Sequence, residues 1–213
     1  MDRDFWIDKW TRGETGFHNA RVHPALAAHA GRLGLSPGAR VFVPLCGRTR
    51  DIGWLLARGY RVAGAELSDL AVRQLFDDLG IAPERAARGS LTLHAGPGID
   101  VFAGDVFDLD AATLGPVDAV YDRAALVALP GEMRARYARH LVALTGGAPQ
   151  LLVCFEYDQA AMRGPPFRVD AAQVRRYYGE DHDVALLASD PVEGGLKGRC
   201  PALETVWLLR GKE

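Results

Sequence analysis

Beyond residue 40 the chain repeats one alternation. Short, nearly continuous apolar runs are separated by longer stretches in which apolar positions recur every three or four residues. The short runs predict strands at 40–45, 61–67, 99–103, 117–121 and 151–156, and the longer stretches predict helices at 51–58, 68–79 and 132–144. Gly59 closes the first of these helices; Ser68 caps the second, and Gly80 follows it. Residues 81–98 are rich in Pro and Gly around one apolar run at 91–94, which reads as an added hairpin. A helix at 171–178 precedes two last strands, 184–188 and 205–209, joined by a glycine-rich turn. Before all this, Phe5, Trp6 and Trp10 give an amphipathic helix at 2–10. A loop follows at 11–19, then a helix at 23–33 that ends at Gly34.

Strands alternating with helices predict an α/β fold: a mostly parallel sheet with helices on both faces. The final pair of strands has no intervening helix and predicts an antiparallel edge. No break in composition interrupts the chain, so 1–213 reads as one domain. In such a fold, ligands bind beyond the carboxyl ends of the strands, where the strand order reverses.

Composition narrows the choice of partner. With 213 residues, 25 Lys plus Arg and 27 Asp plus Glu, the formal charge is −2. A nucleic-acid-binding chain usually carries a basic domain or stripe, whereas here the arginines are scattered. Cys46, Cys154 and Cys200 form no CxxC pair and no metal-spaced cluster. A reducing cytoplasm, no metal and a small-molecule partner are therefore expected. The charged first residues lack a signal-peptide core, and no window has the length of a membrane span. No heptad predicts more than a monomer.

The strand ends carry the candidate chemistry. The first strand runs into Pro44-Leu45-Cys46-Gly47-Arg48, with a single glycine and no GxGxxG, so no pyrophosphate cradle is present. The second ends at Glu66, placed to accept hydrogen bonds from ribose hydroxyls. The third leads to Asp105 and Val106, suited to an adenine pocket, and the fourth to Tyr121-Asp122-Arg123. A ribose acceptor without phosphate chemistry points to a nucleoside-like cofactor, and S-adenosylmethionine fits. Each residue also has a plainer reading: Glu66 as an exposed strand-end carboxylate, Asp105 as a turn residue.

Several ordered motifs carry a resemblance. They are FWxxxW at Phe5, Trp6 and Trp10; GFH at Gly16, Phe17 and His18; and VFVPLCGR followed by Asp51 and Trp54. GYRVAGAELS from Gly59, DVFDL from Asp105, YDRAAL from Tyr121 and YDxxxxxGPPF from Tyr157 complete the set. With these the chain resembles the thiopurine S-methyltransferase family, especially its bacterial members. The resemblance implies a class I S-adenosylmethionine-dependent methyltransferase (Rossmann-like) fold with a seven-stranded sheet. It also implies an N-terminal cover, 1–35, over a core at 36–213.

By the same resemblance the cofactor contacts are Trp10, Leu45, Glu66 and Arg123, with Asp105 and Val106 near adenine and Phe17 on the substrate side. Glu66 would hold the ribose, while Trp10 and Leu45 would pack the methionine portion. Arg123 would meet the cofactor carboxylate or an anionic substrate. Arg48 stands where the family often has lysine, and Asp105 where mammalian members have a small polar residue. The implied reaction is methyl transfer to a small aromatic or heterocyclic thiol, and no catalytic base is assigned. Methylation of selenium or tellurium compounds in detoxification, and a non-catalytic nucleoside sensor, are the alternatives. Cys46 reads as a buried small residue, His18 as a backbone-bonding loop histidine, and Gly164 to Phe167 as a rigid turn.

Overall fold

The computed structural model describes residues 3–16 and 21–212. Its elements, in chain order, are α1 (Arg3–Thr11), α2 (Pro24–His29), β1 (Arg40–Pro44), α3 (Arg50–Ala57), β2 (Arg61–Glu66) and α4 (Asp69–Leu79). They continue with β3 (Glu84–Arg88), β4 (Leu91–Gly96), β5 (Ile99–Ala103), α5 (Ala111–Leu114), β6 (Ala119–Arg123) and α6 (Gly131–Thr145). The last are β7 (Gln150–Tyr157), α7 (Ala171–Tyr178), β8 (His182–Pro191) and β9 (Ala202–Gly211).

All nine strands join one sheet in the order β3-β4-β5-β2-β1-β6-β7-β9-β8. The central five, β5 to β7, are parallel. β9 runs antiparallel to β7, and β8 antiparallel to β9. The seven strands expected are therefore nine. The residues around 81–98 supply two more, β3 and β4, which extend the sheet antiparallel beyond β5. β3 reads ERAAR and has no fully buried residue, so its strand character comes from pairing with β4 and not from an apolar pattern.

Alternation along the central strands fills both faces. Val41 and Val43 point to one face, with Ile52, Leu55, Leu75 and Phe76 of α3 and α4. Phe42 and Val120 point to the other, with Tyr137 and Leu141 of α6 and Trp207 of β9. Parallel strands buried on both sides explain the nearly continuous apolar runs. Each such side chain contributes roughly 1.5–3 kcal/mol by leaving water.

The chain enters β1 at the middle of the sheet, with β2 on one side and β6 on the other. The strand order reverses there, and a crevice opens at the carboxyl ends. β6 begins and ends two residues later than the pattern predicts, so Arg123 is its last residue and not part of the following loop.

Candidate active site

The turn after β1 requires unusual backbone. Leu45 has φ 46° and Gly47 φ 53°. A Cβ on Gly47 would stand 3.0 Å from the Trp10 ring, so the ring of α1 closes over a position that only glycine fills without displacement. Trp10 is the buried residue of α1, at 5% exposure.

Glu66 ends β2 and is 6% exposed. Its carboxylate accepts the Gly47 amide at 2.8 Å and the Ser68 amide at 2.9 Å. Burial pushes its pKa up, and these backbone donors pull against that shift. Two ordered oxygens with lone pairs to spare suit a pair of vicinal hydroxyls. Beside it, burial and the Glu66 charge raise the Cys46 thiol, which therefore stays protonated and unsuited to nucleophilic work.

After β5, Gly104 has φ 142°, and a Cβ there would meet Leu91 at 2.5 Å. Asp105 then caps the short 3-10 turn Val106–Asp108 by accepting the Phe107 amide at 3.0 Å. After β6 the chain kinks through Ala124, φ 67°. The buried carboxyl of Asp122, on the opposite face of β6 from Arg123, accepts the Leu126 amide at 3.1 Å and the Tyr137 hydroxyl at 2.8 Å. That pair of bonds secures the turn carrying Arg123. Arg48 lies at the rim and forks onto Asp78 of α4, with Nε and Nη2 each 3.0 Å from a carboxylate oxygen. A lysine has no such planar fork.

These strand ends surround one cavity of about 420 Å³. Trp10, Leu45, Glu66, Asp105, Val106 and Arg123 all line it. Phe17 and His18 lie outside the described residues. Val127 to Pro130 and Met133 continue the wall beyond Arg123, and Phe155, Pro165, Pro166, Val192, Leu196, Lys197 and Glu204 form the wall on the β7–β9 side.

The cavity also contains a polar network: Asp51 and Tyr121 belong to the motifs above, but the sequence does not show that they meet His23 and Glu204. Asp51, 1% exposed in the first turn of α3, accepts the His23 amide at 2.7 Å and the Tyr121 hydroxyl at 3.0 Å. The His23 ring accepts the Ala25 amide at Nδ1, which assigns its proton to Nε2, 3.3 Å from Glu204. Burial and the Asp51 charge push the Tyr121 hydroxyl well above its usual pKa, so it stays a donor. The signal was weak because three of these residues sit in apolar or helix-start contexts, and only the fold joins α2, α3, β6 and β9.

Comparison with known proteins decides the family. The family model for thiopurine S-methyltransferase matches residues 1–197. The chain belongs to the thiopurine S-methyltransferase family. A thiopurine S-methyltransferase of Xanthobacter autotrophicus is 59% identical over 210 residues, covering 98% of this chain and 99% of that one. The Gluconobacter oxydans protein of the same name is 51% identical, over 95% and 92%. Among solved structures, 1,6-didemethyltoxoflavin-N1-methyltransferase of Burkholderia thailandensis, with bound S-adenosylhomocysteine, is similar with a TM-score of 0.65. It is 19% identical and is matched over 98% of this chain and 87% of that one. At that identity the likeness speaks for the fold alone, which is that of S-adenosylmethionine-dependent methyltransferases. As a member of the thiopurine S-methyltransferase family, this chain is an enzyme that uses S-adenosylmethionine.

Proposed function

We propose that the protein methylates the sulfur of small aromatic or heterocyclic thiols. The observation that carries this reading is the division of one cavity. The Glu66 cradle and the turns at Leu45 and Ala124 line it on the β1, β2, β5 and β6 side, and the apolar residues Phe155, Pro165 and Pro166 line it on the β7 side.

The residues fit the cofactor. Glu66 would accept both ribose hydroxyls, Val106 and Asp105 would bound the adenine, and Arg123 would pair with a carboxylate. Trp10 and Leu45 would pack the methionine portion and exclude water, and an indole face also attracts a sulfonium. Bound there, S-adenosylmethionine supplies an electrophilic methyl carbon. Fixed approach geometry is worth about 7–11 kcal/mol in favourable cases, and an aromatic thiol ionises readily, so the reading assigns no protein base. In this reading residues 1–35 form the cover, and the acceptor stacks on the Pro165–Pro166 wall with Phe17. Three buried, unpaired cysteines support a reducing, cytoplasmic setting, and no helix among the described residues is long and apolar enough to cross a membrane.

The test is calorimetric titration with S-adenosylhomocysteine, paired with turnover on a panel of thiols, selenols and metalloid oxyanions. Saturable binding that Glu66→Ala weakens, with turnover on the aromatic thiols, supports the reading. Turnover confined to selenium or tellurium compounds, or binding without any acceptor, overturns the thiol assignment.

A further inference from the structure

Among the described residues, three that are not glycine adopt a left-handed backbone: Leu45 (φ 46°), Ala124 (φ 67°) and Lys197 (φ 52°). All three line the same cavity. Such conformations persist only where the surrounding structure enforces them, and they concentrate at ligand clamps and active sites. Leu45 and Ala124 sit beside Gly47 and Arg123, on the side assigned to the cofactor. Lys197 lies across the cavity, in the turn joining β8 to β9, where glycines occupy the neighbouring left-handed positions Gly194, Gly195 and Gly198.

The turn is pinned. The Leu196 amide donates to the Cys200 carbonyl at 2.8 Å, and the Arg199 amide to the Leu196 carbonyl at 3.0 Å. The Lys197 ammonium donates to the Pro165 carbonyl at 2.7 Å, tying this turn to the proline wall. An ammonium has three donors, so two remain for a ligand. Its neighbours on the wall, Phe155, Val192, Leu196 and the two prolines, are apolar. Lys197 is exposed at the rim, and partial desolvation with the nearby charges of Arg199 and Lys9 lowers its pKa. An anion arriving at this rim offsets that shift. The acid of the same wall, Glu204, faces His23.

We propose that Lys197 is a specificity-determining residue selecting aromatic acceptors that carry an anionic substituent, a carboxylate being the simplest. This rests on the S-methyltransferase reading. The reacting sulfur has to reach the Trp10 and Arg123 side, so the group meeting Lys197 is at the far end of the acceptor ring.

The experiment measures binding and turnover separately. The enzyme saturated with S-adenosylhomocysteine is titrated with 4-(methylthio)benzoate and with its neutral match, 4-(methylthio)benzamide. Wild type, Lys197→Met and Lys197→Gly are compared, the glycine variant suiting the left-handed backbone. Turnover of 4-mercaptobenzoate and 4-mercaptobenzamide is followed in parallel. A charge-assisted hydrogen bond predicts that either variant weakens the benzoate about tenfold and the benzamide less than twofold, with S-adenosylhomocysteine affinity unchanged. Equal losses on both ligands, no preference for benzoate in wild type, or no binding of either overturns the proposal. A benzoate preference that depends on Lys197, without turnover of either thiol, keeps the anion site and overturns the S-methyltransferase reading instead.

Discussion

The Gly47 amide donates to the Glu66 carboxylate at 2.8 Å, tying the turn after β1 to the end of β2. The bond orients the carboxylate that is proposed to hold ribose, and the second oxygen is fixed by Ser68. In Glu66→Gln one of the two amide donors must face an NH2 group. That NH2 also cannot accept from a ribose hydroxyl, and a hydrogen bond to a charged group is worth about 1.5–3 kcal/mol, so S-adenosylhomocysteine affinity is expected to fall roughly 10- to 100-fold, read by calorimetry. Because burial raises the Glu66 pKa, affinity in the wild type also falls on acidification at a higher pH than an ordinary carboxylate would give.

Gly47→Ala tests the closure by α1. The added Cβ meets the Trp10 ring at 3.0 Å on a backbone with φ 53°. The substitution is expected to weaken cofactor binding and to destabilise the fold by about 1–2 kcal/mol. Trp10→Ala in the same chain should remove the steric part of the stability loss but not restore binding, as urea unfolding and calorimetry would show.

Asp122 gives a pH signature. Burial raises its carboxyl from 3.8 to about 6, against the pull of its hydrogen bonds. The native state therefore favours the neutral form: the contribution is present at low pH and is lost as pH rises through about 6. Linkage gives a loss of about 2 kcal/mol between pH 4.5 and 7 from this group. The stability difference between wild type and Asp122→Asn should shift by that amount over the interval. A pH-independent difference in urea midpoints contradicts it.

Tyr121→Phe removes the hydroxyl that donates to Asp51 at 3.0 Å. A buried carboxylate oxygen loses its partner, and the expected cost is about 1–3 kcal/mol of stability. Asp51→Asn in the Tyr121→Phe background should recover part of it, because a neutral amide tolerates burial better than a charge.

The alternation of periods made the central sheet legible. Ile99–Ala103 and Ala171–Tyr178 begin and end where their patterns do, and the Ser68 and Gly80 signals bracket α4 as expected. The added hairpin at 81–98 was legible from its turn residues and the run at 91–94, but the bounds of its exposed strand β3 were not, since pairing with β4 and not its own residues makes it a strand. That Glu66, Asp105 and Arg123 line the cavity was legible, because strand ends and motifs mark them. Asp51 and Tyr121 stand in those motifs too, but their meeting with His23 and Glu204 could not be read, because it depends on elements far apart in the chain. Lys197 was hidden for another reason: its proposed role depends on a turn that sets the ammonium beside Pro165, which residue type does not announce.

The central claim is methyl transfer to sulfur. Its most direct measurement is incubation with S-adenosylmethionine labelled in the methyl group and an aromatic heterocyclic thiol, with the product resolved by mass spectrometry. The account predicts one labelled methyl per acceptor, bonded to sulfur, with an equal amount of S-adenosylhomocysteine formed. Label found on nitrogen or oxygen of the acceptor, or no transfer by a protein that binds S-adenosylhomocysteine, would contradict it.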